Sequence, residues 1–164
     1  MKHVSLSVFA VSSLFALNSF AAGVLTQKNI SLELAQMAAD AAVENCLHSG
    51  YQVTATVVDF AGDVKVSVRA DGAGPHTIDA SRRKAYTSAS AKNATSAMLT
   101  TSQTNPTAQN LGQIDGFLLL GGGLPIRSGT AVIGAIGVGG APGGPLDEVC
   151  AQAGIDKIKD KLNP

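Results

Sequence analysis

Tryptophan is absent from this chain, and aromatic residues of all kinds make up only 4% of it. A core without large rings must be built from aliphatic and small side chains. Charge is sparse as well: 12 basic and 12 acidic residues balance to a formal net charge of zero. No basic stripe and no aromatic ladder runs along the sequence, which leaves nucleic-acid binding without support. No C-x-x-C, H-E-x-x-H or G-x-S-x-G pattern is present, so the usual thiol-redox, zinc-protease and serine-hydrolase signatures are missing. Neither a phosphate-binding G-x-x-x-x-G-K-[ST] loop nor a G-x-G-x-x-G opening a helix directly after a strand occurs. No fixed-period repeat or long linker divides the chain, which predicts one domain.

The chain does have glycine, 18 residues of it, concentrated toward the C-terminal end. From Ile114 the sequence reads IDGFLLLGGGLPIRSGTAVIGAIGVGGAPGGPLDEVCAQAGI. The apolar run Phe117–Leu120 meets a glycine triplet. A short extended piece, Leu124–Arg127, turns at Ser128-Gly129 into a second apolar run, Thr130–Val138. Short runs rich in Val and Ile and bounded by Gly predict strands, and Ser-Gly between two of them predicts a hairpin. Gly134 and Gly137 inside the last strand imply a bulge or the close approach of another backbone or a ligand. Gly139 to Gly144 then opens a helix with Asp147 and Glu148 in its first turn.

The start of the chain has a different character. Lys2, an apolar core from Val4 to Leu17, and Ser19-Phe20-Ala21 have the form of a secretory signal cut after Ala21. The apolar run is shorter than the roughly 20 residues that a bilayer requires, and nothing later is long enough to span one. The expected mature domain, residues 22–164, has 164 − 21 = 143 residues and a formal charge of −1 once Lys2 is removed. Its expected address is the periplasm or the extracellular medium.

Between these ends, Ile30–Ser49 is predicted as an amphipathic helix on Ile30, Leu34, Met37 and Ala41, with Asn29 or Ser31 as its cap and Gly50 as its end. Gln52–Asp59 and Asp63–Arg69 are predicted as an antiparallel hairpin turning at Phe60-Ala61-Gly62. Asp59 and Asp63 flank that turn as residues that bond nearby backbone. Thr77 is expected to cap a second helix reaching about Met98. This helix is rich in small residues and carries Arg82, Arg83 and Lys84, with an ion pair expected between Asp79 and Arg83. Leu99–Leu111 reads as a long loop with at most one helical turn. The order helix, hairpin, helix, strand, hairpin, helix gives an α+β domain with an antiparallel sheet of about five strands flanked by helices.

The segments VTATVVDFAGDVKVSVRADGAGPHTIDASRRKAYTSA, GGGLPIR, GAIGVGGA and DEVCAQAGI, taken in order, resemble the GlcG/HbpS-like haem-binding family, which includes the C-terminal domain of PduO-type proteins. The resemblance covers the chain from about Leu25 onward. It implies a profilin-like fold, a homo-oligomer and haem or another tetrapyrrole as ligand. On that footing the chain is expected to be an exported haem-binding protein for storage, scavenging or sensing. The alternative is a haem-degrading or small-carboxylate-processing enzyme or enzyme accessory.

A haem site needs an axial donor, cationic groups for the propionates and an apolar slot. His76, beside Pro75 at a helix start, is the first candidate for the iron. Arg82, Arg83 and Lys84 are candidates for the rim, and the bends at Gly122-Gly123 and Gly139-Gly140 for close approach by a planar group. His48 is a second candidate ligand, with capping of its own helix as the competing role. Tyr51, Tyr86 and Met98 are weaker ones. Cys46 and Cys150 are expected to form a disulfide, the alternative being two buried thiols.

Overall fold

A computed structural model describes residues 23–162; the expected leader, Met1–Ala21, lies outside the described residues. Four α-helices and a four-stranded antiparallel sheet follow one another as α1 (Leu32–His48), β1 (Thr54–Asp59), β2 (Val64–Arg69), α2 (His76–Ala91), α3 (Thr95–Thr104), β3 (Gly123–Ser128), β4 (Ala131–Gly139) and α4 (Gly144–Ile158). Short 3-10 turns lie at Leu111–Gln113 and Lys159–Lys161. The strand order is β2-β1-β4-β3, so the N-terminal and C-terminal hairpins meet along β1 and β4.

Alternation along β1 separates two helical layers. Val53, Ala55 and Val57 face the main core, which α1 and α4 complete with Ala35, Ala38, Ala39, Ala42, Cys46, Cys150 and Ala151. The buried face of α1 is thus a stripe of alanines, one position away from the predicted Leu34 and Met37, which are only partly buried. Ser31 caps α1 by accepting from the Leu34 amide, and Gly50 at φ 81° closes it. Cys46 and Cys150 are joined, with Cα atoms 5.5 Å apart, as the sequence implied.

Thr54, Thr56 and Val58 point the other way, toward α2. The helix lies so close to the sheet that a Cβ on Gly137 would stand 2.1 Å from the Ser81 carbonyl oxygen. Ala85, Ala89, Val58 and Ala135 fill the narrow gap. Hydroxyls join the layers above it: Thr54 Oγ1 lies 2.7 Å from Thr77 Oγ1, and Thr56 Oγ1 lies 2.8 Å from Ser81 Oγ. Thr77 therefore bonds the sheet and the Gly74 carbonyl instead of capping its helix, which begins at His76. The small residues of α2 serve this contact.

Three other expectations are corrected. Phe117–Leu120 is not a fifth strand: its backbone bonds to side chains of α2, with Thr87 Oγ1 accepting from the Leu118 amide and Arg83 donating to the Phe117 carbonyl. The predicted long second helix breaks at Lys92, which sits in the left-handed region at φ 56°, and α3 resumes at Thr95 across the predicted loop boundary. Asp79 pairs with Arg82, three residues on, at 2.8 Å, and not with Arg83. Asp59 behaves as expected, accepting from the Ala61 and Asp63 amides across the hairpin turn.

Candidate functional site

The N-terminal end of α2, the last residues of β4 and the first turn of α4 surround one cleft of about 260 Å³. His76, Ala80 and Lys84 recur every four residues along α2, which places them in a row on one side of the helix. Gly139 to Gly144 forms the facing wall, with Leu120 and Asp147 beside it. Four of the residues singled out from sequence, His76, Lys84, Gly139 and Gly140, thus line the same cleft.

His76 is exposed at the mouth. Its ring folds back over the turn before α2, close enough that a Cβ on Gly74 would sit 2.7 Å from its Cε1. Lys84 is buried at the base, where Nζ donates to Asp147 Oδ2 at 2.7 Å and to the Val138 carbonyl at 2.9 Å. Asp147 Oδ1 accepts from the Ala141 amide at 3.0 Å, which fixes the start of the glycine-rich loop against α4. Burial pushes the Asp147 carboxyl above the ordinary carboxylate range; the hydrogen bond and charge of Lys84 and the Ala141 amide pull it back without cancelling that rise.

The bend before β3 is shaped by this pair. A Cβ on Gly122 would lie 2.7 Å from both Asp147 Cβ and the Val138 carbonyl oxygen, and 3.1 Å from Lys84 Nζ. Gly122 at φ 115° also accepts from the Val138 amide. Gly123 is pressed in the same way against the Lys84 backbone and Thr95. These two glycines accommodate protein atoms, so they back the cleft and do not open onto it.

The expected rim cations and the weaker ligand candidates are otherwise engaged or lie outside the cleft. Lys84, expected at a rim, is 1% exposed and serves the internal pair. Arg83 is engaged with the Phe117 carbonyl, and Arg82, on the surface, with Asp79. His48 lies in the α1–α4 layer, across the sheet from His76, beside Glu44, Asn45, Asp156 and Lys157. The carbonyls ending α1 accept from the Ser49, Gly50 and Tyr51 amides. Met98 is buried, and the Tyr86 ring packs edge-on to Phe117 at 6.2 Å. Among the described residues no cluster of three or more His, Cys, Asp or Glu side chains is arranged to hold a metal ion, and no helix is long and apolar enough to cross a membrane.

Asp147 is the residue of this cleft that no sequence motif marks. Its signal was present: a lysine on the small-residue face of α2 needs a carboxylate partner if that face is buried.

The profile of the family described as haem degrading protein HbpS-like matches residues 30–156. The chain belongs to this family. A crystal structure of a double mutant of Streptomyces reticuli HbpS is 36% identical, covers 92% of this chain and 97% of that one, and superposes with a TM-score of 0.77. Klebsiella pneumoniae ORFY is 28% identical over 83% of this chain and 94% of its own, with a TM-score of 0.79. The PduO C-terminal domain, solved as a complex with haem, shares the fold at 24% identity and a TM-score of 0.71, covering 79% of this chain and 95% of that domain. A search of curated proteins returns no match.

Proposed function

We propose that this protein is an exported haem- or tetrapyrrole-binding protein whose ligand enters the His76 cleft. The observation that carries the reading is the meeting of His76 with Ala80, Leu120 and the Gly139–Gly144 loop in a chain of the HbpS-like family. The exposed imidazole at the cleft mouth suits an axial donor to iron, and the alanine, leucine, proline and glycine walls suit an apolar ring. The rim charges fit less well. Lys84 is committed to Asp147, and neither Arg82, paired with Asp79, nor Arg83, donating to the Phe117 carbonyl, lines the cleft.

The cleft at about 260 Å³ is smaller than the roughly 300–1,000 Å³ of cavities that enclose a drug-sized ligand. A haem here would be held along one edge by His76, Leu120 and the Gly139–Gly144 loop, and a second copy of the chain would cover the rest. A homo-oligomer of the profilin-like domain is part of this proposal, and Leu120, lining the cleft at 44% exposure, is a contact available to it. Bound haem supplies iron chemistry. The chain's own part is to seat the ring edge, offer the imidazole and shield one face from water.

The test is a haem titration of the mature protein followed by its Soret band. His76→Ala is expected to weaken binding at least tenfold and to shift the band, whereas His48→Ala leaves both close to wild type. An unchanged band and affinity in His76→Ala refutes the site.

A further inference from the structure

A second concavity lies on the other side of α4. It is a groove of about 340 Å³, walled by Ser96 of α3 and by Pro145, Glu148, Val149 and Gln152 of α4, with Leu124 of β3 at its floor. Consecutive helical residues diverge by about 100°. Asp147 therefore turns into the His76 cleft while Glu148 turns into this groove.

Glu148 stands out electrostatically. Its Oε2 is buried with no hydrogen-bond donor, the one such side-chain atom among the described residues. Arg82 pairs with Asp79, Lys84 with Asp147 and Lys161 with Glu33, and none of these cations reaches Glu148. A carboxylate oxygen withdrawn from water without a donor is costly. Around it the groove is apolar, with Val149 left 61% exposed and Leu124 beneath. An apolar slot with one under-solvated carboxylate attracts a cation carrying a hydrocarbon body. It repels anions and gives a neutral molecule only part of the available contact.

We propose that this groove is a second ligand site, separate from the His76 cleft, for a small aliphatic primary ammonium compound. The Glu148 side chain turns Oε2 from the wall into the groove, the ammonium group donates to the carboxylate, and the hydrocarbon chain lies along Leu124, Pro145 and Val149. At about 30 Å³ per water-sized group, the volume suits a molecule of roughly ten heavy atoms or fewer.

The probes are n-hexylammonium, n-hexanol and n-hexanoate, equal in length and different in charge, titrated into the wild-type mature protein by calorimetry and by amide NMR. We expect hexylammonium to bind about tenfold or more tightly than hexanol, to shift the amides of Ser96, Val149 and Gln152, and hexanoate to bind least. In Glu148→Gln the preference of ammonium over alcohol is lost while the protein stays folded. The proposal is overturned by equal binding of amine and alcohol to the wild type, by shifts centred on other residues, by no binding of any probe, or by a preference that survives Glu148→Gln. Comparison of the three probes on the wild type decides the matter even if the variant fails to fold, and none of the readouts involves haem.

Discussion

Removing Lys84 tests the internal architecture of the cleft most directly. The pair is almost fully enclosed, with side-chain exposures of 1% for Lys84 and 4% for Asp147. Lys84→Ala deletes the 2.7 Å bond to Asp147 and the 2.9 Å bond to the Val138 carbonyl, and leaves a carboxyl buried without its cation. Breaking one side of a buried pair costs about 3–5 kcal/mol. With an unfolding entropy near 2.1 cal/mol/K per residue, a domain of about 140 residues has ΔS of about 0.3 kcal/mol/K, so the melting temperature falls by about 10–17 °C. Calorimetry of wild type, Lys84→Ala, the single variants Lys84→Met and Asp147→Leu, and their combination Lys84→Met/Asp147→Leu measures this. The double variant removes both charges and is expected to recover most of the loss, because two apolar residues of similar volume replace the pair. A loss below about 1 kcal/mol in Lys84→Ala, or a double variant as unstable as the sum of the single ones, refutes the claim that the pair is a coupled structural unit.

Three further outcomes follow from the same structure. Because the folded-state pKa of Asp147 is raised, the folded chain keeps a proton that the unfolded chain has released; its contribution is full below about pH 4 and is lost as pH rises through the folded value. Urea unfolding across pH 3–8 should show that slope in wild type and its loss in Asp147→Asn. Replacing Cys46 and Cys150 by alanine opens a loop of sequence separation 104. The chain-entropy relation gives a loss of about 4.7 kcal/mol, and a change under 1 kcal/mol in the midpoint-derived stability would contradict it. Gly137→Ala drives a methyl group into the Ser81 backbone carbonyl, which a flexible side chain cannot relieve, and should cost about 3 kcal/mol and shift the α2 amides; a wild-type melting curve would show that α2 is not seated as described.

Much of the fold was legible in sequence because its signals are local. The two hairpins, the Ser31 cap, the Gly50 stop and the cysteine pair each depend on residues whose chemistry admits few placements. Phe117–Leu120 was misread because an apolar run announces burial without naming its partner: here the backbone bonds run to Thr87 and Arg83 of a helix, where a strand would need a neighbouring strand. The basic triplet misled for a geometric reason. Three consecutive helical residues point in three directions, and only Lys84 falls on the face shared with Ser81, Ala85 and Ser88, which packs inward. The cleft itself is half legible: His76 and the Gly139-Gly140 bend stand out locally, and Lys84 on a small-residue face calls for a carboxylate, but nothing local marks Asp147, 63 residues on, as that partner.

The hydroxyl seam between β1 and α2 has a mechanical meaning. Oil-like contacts tolerate sliding, since one methyl group is much like the next. Thr54 with Thr77 and Thr56 with Ser81 are specific pairs, and moving α2 by one turn would break both at once. The helix that carries His76 is therefore keyed to the sheet like a tooth in a rack, and His76 keeps its place over the cleft.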